Sequence, residues 1–269
     1  METNSELSSK FLFHYTDEFE KLISIINDGF RPNFSLEQFN YFENLNGDKE
    51  IEIKRHLSKI AFHMVCFCDI PINLTKNHRD VYGDYAIGLT KTWGMEHKIT
   101  PLWYLPNESA KKYFNKLILR SYEVDNIINS SNDEYLNNIP EYSSKIEPLL
   151  ADIDEIISLT KQLYYLTKPY IGPFKKESTN FFDPEYVFYN EREWRYLPEF
   201  PVGRNFYTEI EHSDKKSLSY ENAIQQRLEF DINDIKQFFV CTETERKELL
   251  RILKKKFGDA FNNLSLDKW

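Results

Sequence analysis

Glycine is scarce in this chain, with 8 residues in 269, and neither a G-x-G-x-x-G nor a Walker motif occurs. Glycine-rich phosphate cradles are therefore excluded, and any nucleotide would have to be held in another way. Cysteine is scarcer still. Cys66, Cys68 and Cys241 are an odd number, and two of them sit in the apolar run "FHMVCFCDIP", so a disulfide framework is excluded and buried thiols are expected. The Cys-x-Cys pair has no second Cys pair and no His-x-x-x-His partner, so it predicts no metal site. No apolar run approaches the roughly 20 residues of a membrane helix. The opening "METNSELSSK" lacks a basic region followed by an apolar one. A soluble, cytoplasmic protein with no membrane contact is expected. Basic residues are outnumbered 34 to 43, for a formal charge of -9. That balance argues against generic coating of nucleic acid but leaves room for a local basic groove.

What the chain does have is apolar and aromatic mass: 41% hydrophobic residues, with 17 Tyr and 21 Phe. This is enough for a core without covalent staples. "FLFHYT" (11–16) reads as a strand that feeds a helix over 17–29, with Phe19, Leu22, Ile23 and Ile26 on one face and Gly29 as its stop. The polar stretch 34–54 reads as a loop excursion. A buried strand over 60–71 follows, then strands at "YAIGLT" (85–90) and "PLWYL" (101–105) around a helical turn at "KTWGMEHK". From 108 to 168 the pattern becomes long, acidic and helical, broken at "NNIPEYSS". "KPYIGPFKKESTN" reads as a loop, "EYVFYNEREWRYLP" as strand, and "QFFVC" as a strand before an amphipathic helix with a basic tail. The expected fold is α+β, a single domain over 1–269 with a helical insertion at 108–168.

Three stretches could carry chemistry. His14, Tyr15 and Thr16 gather hydrogen-bonding groups at a strand-to-helix exit, where ligands often bind. Tyr82 and Tyr85 flank a Gly-Asp turn, where a ring could stack on a flat ligand. In "EREWRY", Glu191, Glu193 and Arg195 would share one face of a strand, with Trp194 on the opposite face as core anchor. Two acids so placed repel. Either Arg192 and Arg195 neutralise them, or Glu193 stabilises a sugar cation while Glu191 handles the incoming nucleophile. A third reading has Asp69, His78, Glu191 and Glu193 converging on a divalent ion, as in a nuclease.

The segments "FHYTDEFEKLISIINDGFRP", "VCFCDIPI", "YGDYAIGLTKTWGMEHKITPLWYL" and "YNEREWRYLP" together resemble the AbiGi family of bacterial abortive-infection proteins. The resemblance implies a phage-defence role, as the antitoxin half of a pair whose toxin is a nucleotidyltransferase-like protein. More distantly, the order of parts is similar to the ADP-ribosyltransferase superfamily, including its DarT-like members. That likeness implies a split, mainly antiparallel sheet and NAD as substrate. His14, Tyr15, Thr16, Tyr82 and Tyr85 would then be cofactor-binding, and Glu193 and Glu191 catalytic, with a nucleic acid or protein as target. The Ser-Thr-Ser segment of the arginine-modifying members is missing. Beside this enzyme stands a binding reading, in which an antitoxin or sensor contacts a partner toxin or phage protein and the acids are structural.

Overall fold

A computed structural model describes residues 8–38, 59–106, 108–130, 147–176, 181–198, 206–208 and 227–269. The chain forms two compact units, one from Met1–Glu37, Ile60–Leu102 and Ile171–Trp269, the other from Gln38–Lys59 and Trp103–Tyr170.

The first unit is built on a mostly antiparallel sheet. Its strands are β1 (Phe11–Thr16), β2 (Asn33–Gln38), β3 (Lys59–Cys68), β4 (Tyr85–Thr90), β5 (Thr100–Pro101), β10 (Glu193–Tyr196), β11 (Phe206–Thr208), β12 (Ile235–Val240) and β13 (Ser265–Lys268). The main order is β13-β12-β4-β1-β3-β10-β5, with β2 and β11 also paired to β3. Within this sheet β12 and β13 pair in parallel. They can do so because the helix between them supplies the crossover that a parallel pair requires.

Alternation along the strands divides the sheet into two faces. Leu12, Phe67, Ile87 and Phe238 point to one face, which is covered by helices α1 (Phe19–Asp28), α3 (Lys91–Glu96) and α6 (Glu243–Phe257). Trp93, fully buried there, donates its indole N–H to the Glu229 carbonyl at 3.0 Å. Phe13, Tyr15, Cys68, Ala86 and Phe239 point to the other face, toward Tyr82 at the end of α2 (Lys76–Tyr82) and toward Trp269. Trp194 lies opposite Phe67 and packs on the first core, the anchor role expected of it. Helix α6 begins in a reciprocal capping box between Thr242 and Glu245 and ends in Lys254, Lys255 and Lys256, as its dipole favours.

The second unit contains two long helices, α4 (Glu108–Ser130) and α5 (Glu147–Tyr165), and a short parallel pair of β6 (Trp103–Leu105) and β7 (Thr167–Pro169). The expected helical stretch 108–168 falls within it. "NNIPEYSS" lies outside the described residues.

Several expectations need correction. Residues 33–38 form a strand rather than the start of a loop, and 39–54 lie outside the described residues. "PLWYL" splits between β5 in the large sheet and β6 in the small one. "KPYIGPFKKESTN" holds β7 and β8 (Gly172–Lys176), the latter forming a hairpin with β9 (Phe181–Tyr186). Its Gly and Pro suggested a loop, but the hairpin is two-stranded and Pro173 is exposed on it, a position where a missing N–H is tolerated. The C-terminal strand β13 has too few apolar residues to declare itself.

Gly83 closes α2 with φ 105°. A methyl group there would meet the Thr16 carbonyl and Asp17 Cα at 2.4 Å, because the exit of β1 is pressed against this turn. Gly83→Ala is expected to lower unfolding free energy by about 2 to 4 kcal/mol through strain and collision together, measured by urea denaturation. His63 is buried, and burial lowers its pKa from 6.5 to about 4. The unfolded chain therefore binds the extra proton across that window. Stability from this residue is intact above pH 6.5 and falls as pH drops toward 4. The urea midpoint should show that loss, reduced in His63→Phe.

Candidate functional site

The site grows from β10 and the turn before it. Opposite β10, Cys68 pairs with Glu193 and Cys66 with Arg195, so both charged side chains stand on the second face of the sheet. Arg195 has no exposure to water. Its Nε donates to Glu193 Oε1 at 2.6 Å and its terminal nitrogen to Glu37 Oε2 at 2.8 Å, while the guanidinium lies 5.4 Å from the Phe62 ring. Burial alone would depress this guanidinium. The carboxylates of Glu193 and Glu37 outweigh burial and hold its pKa well above the ordinary value. Burial also pushes the Cys66 and Cys68 thiols up, and Glu193 adds to the effect, so neither is a ready thiolate.

Glu191 departs from the expected strand face. Residues Phe188–Glu191 form a 3-10 turn, and Arg192 is left-handed at φ 43°, which turns the chain before β10 begins. The Arg192 carbonyl is occupied by the Asp69 N–H at 3.0 Å. Glu191 and Glu193 are therefore not neighbours on one strand, although the charges of both raise the Cys68 thiol. Glu191 is 2% exposed and accepts the Tyr82 hydroxyl at 2.6 Å. Lys176 Nζ lies 4.2 Å from the centre of the Tyr82 ring. Burial lowers the lysine pKa, opposed by the charges of Asp17 and Glu191. His78 packs at 4.5 Å from Tyr82 and 5.0 Å from Tyr15. The phenol of Tyr15 is pushed up by burial.

The residues singled out from the sequence thus divide between faces. Tyr15, Tyr82, Glu191 and Glu193 share the second face. His14 belongs to the first: its ring lies 5.1 Å from Phe30 and 5.8 Å from Phe67, its Nδ1 is 2.8 Å from the Cys66 carbonyl oxygen, and burial lowers its pKa. Thr16 is buried opposite Tyr85. Tyr85 packs on the first core and donates its hydroxyl to Glu245 Oε1 at 2.7 Å. One strand cannot present His14 and Tyr15 to the same ligand, because consecutive side chains point to opposite faces. Of the four residues considered for a divalent ion, Asp69 instead accepts Ser8 Oγ, the Ser9 N–H and Lys91 Nζ. Among the described residues no group of three or more His, Cys, Asp or Glu is placed to hold a metal.

Sequence reasoning missed Glu37 and Lys176. Both lie in stretches read as loops; the apolar alternation of "NFSLEQ" was the available signal for Glu37, and "GPFKK" carries none for Lys176.

A family model described as "Putative abortive phage resistance protein AbiGi, antitoxin" matches residues 30–241. The chain is 25% identical over 237 residues to the abortive phage resistance protein AbiGi of Lactococcus lactis subsp. cremoris, covering 80% of this chain and 86% of that protein. No solved structure matches. The likeness to ADP-ribosyltransferases finds no support in these matches. Among the described residues no helix is long and apolar enough to cross a membrane.

Arg195→Met would leave Glu37 and Glu193 charged and partly desolvated without their shared cation. A loss of about 3 to 5 kcal/mol is expected, measured by urea denaturation. Replacing all three residues with apolar ones of similar volume should recover most of it, since the stranded charges are then gone.

Proposed function

The chain belongs to the AbiGi family of abortive phage resistance proteins, and from that premise we propose that it acts by binding, as an antitoxin whose target is a partner toxin protein. One observation carries this reading: both acids needed for catalysis are turned inward. Glu193 is clamped by a buried Arg195, and Glu191, 2% exposed, is bonded to Tyr82. A carboxylate that stabilises a sugar cation must face that cation, with its charge uncommitted until the transition state. A carboxylate already held by a guanidinium in the ground state has little left to offer. The formal charge of -9 suits contact with a basic toxin surface, where opposite potentials speed encounter and favour the right partner.

The transferase reading keeps one supporting observation, the shared face of Tyr15, Tyr82, Glu191 and Glu193. In that reading NAD would lie against the tyrosines and Glu193, with transfer to a nucleic acid or protein.

Co-expression with a candidate partner toxin decides between the two. The chain should rescue growth and copurify with the toxin, and Glu191→Gln, which preserves an acceptor for Tyr82, should do both equally well. Loss of rescue in a variant that still folds and still copurifies, together with nicotinamide release from NAD by the parent protein, would replace binding with catalysis.

A further inference from the structure

On the second face of the large sheet one row runs Tyr15, Ala86, Phe239, because Ala86 of β4 pairs with Tyr15 of β1 on one side and with Phe239 of β12 on the other. A small residue between two aromatic ones leaves a slot. The outer strands of such a row stand about 10 Å apart, enough for one flat ring between their side chains. Trp269 fills it. Its indole stacks on Phe239 at 4.1 Å and 17°, lies near parallel to Tyr15 at 6.5 Å, and has the Arg79 guanidinium 3.8 Å from its ring centre. Phe239 and Arg79, both that near one ring, cannot share a side of it without colliding, so the indole is sandwiched between them. Its N–H donates to the Asp84 carbonyl.

Two features set this indole apart from a core tryptophan such as Trp93. The first is its attachment. Trp269 is half-buried and stands one residue beyond the last ladder pair, Val240 with Lys268, on the outermost strand of the sheet order. Swinging it out breaks one hydrogen bond and no rung of the sheet. The second is what it leaves unsatisfied. The Tyr15 hydroxyl and the Arg79 Nε are buried at this slot without a hydrogen bond. Thr75, the hydroxyl near Tyr15, gives its own proton to the Ile72 carbonyl at 2.8 Å. Indole nitrogen is a donor only, so Trp269 can offer neither group an acceptor. Buried donors left in that state are costly, and a ligand with acceptors in the same plane relieves both.

We propose that this slot takes a purine nucleotide and that Trp269 is its resident competitor. A purine matches the indole in being flat and bicyclic, its amino group or ring N–H can donate to the Asp84 carbonyl, and Phe239 and Arg79 stack on it as they do on the indole. What it adds is acceptors. Its ring nitrogens and the sugar and phosphate oxygens attached to it meet the Tyr15 hydroxyl and the Arg79 Nε. A pyrimidine, one ring smaller, covers less of Phe239 and Arg79. Binding here makes and breaks no covalent bond, goes beyond the antitoxin reading and requires none of it.

Calorimetric titration of the full chain with AMP, GMP and UMP tests it. Trp269→Ala, its folding checked by circular dichroism, should bind AMP or GMP about tenfold or more tighter than the parent does, because the parent's slot is open only part of the time. Adding Arg79→Met should abolish that gain, and UMP should bind more weakly than the purines. The parent itself supplies a second readout that needs no cavity variant. With 5-fluorotryptophan at all four tryptophans and the Trp269 signal identified through Trp269→Phe, AMP or GMP at about 10 mM should move that fluorine resonance and leave those of Trp93, Trp103 and Trp194 in place. A folded Trp269→Ala that binds purine nucleotides no tighter than the parent, or no tighter than UMP, overturns the proposal. So does a Trp269 resonance that both purine nucleotides leave unmoved.

Discussion

A guanidinium without access to water must find its counter-charge where the chain places it, and Arg195 finds two. Glu193 reaches it along the same strand and Glu37 reaches it from β2. This contact ties together segments far apart in sequence. It ties β10 to β2, two strands that each pair with β3. Burying three ionised groups is costly unless all are paired, so the arrangement tolerates little change in any one of them. The carboxylate that looked most catalytic is also the one that keeps this cation charged.

The same constraint shapes the surroundings. With Glu193 committed to Arg195, the left-handed Arg192 turns Glu191 away to Tyr82, and α2 gains a buried acceptor for its last side chain. Tyr82 in turn lies under Lys176 from the β8–β9 hairpin. The two acids on this face are both engaged within the first unit, Glu193 by Arg195 and Glu191 by Tyr82. That pattern suits a rigid binding scaffold better than a site awaiting a substrate.

Much of the fold was legible because the strongest local signals agreed with the packing. "FLFHYT", the helix stopped by Gly29, "YAIGLT" and the capped helix after "QFFVC" each combine periodicity with a terminating residue. Less was legible where partners decide. β2 and β8 are polar edge strands whose alternation means little until a neighbour is present. The candidate site was legible by residue type only, since spacing in "EREWRY" could not reveal the turn at Arg192.

By itself the sequence determined that this is an α+β protein with a large aromatic core, a long helical stretch after residue 108, and the motifs of the abortive phage resistance family. Those properties reside in periodicity, composition and short-range spacing. Tertiary structure alone decided that Glu37 completes the charge of Arg195, and that Glu191 is handed to Tyr82. The reason is physical: a side chain's partners are set by which strands lie beside its own, and pairing between residues 158 positions apart leaves no local trace.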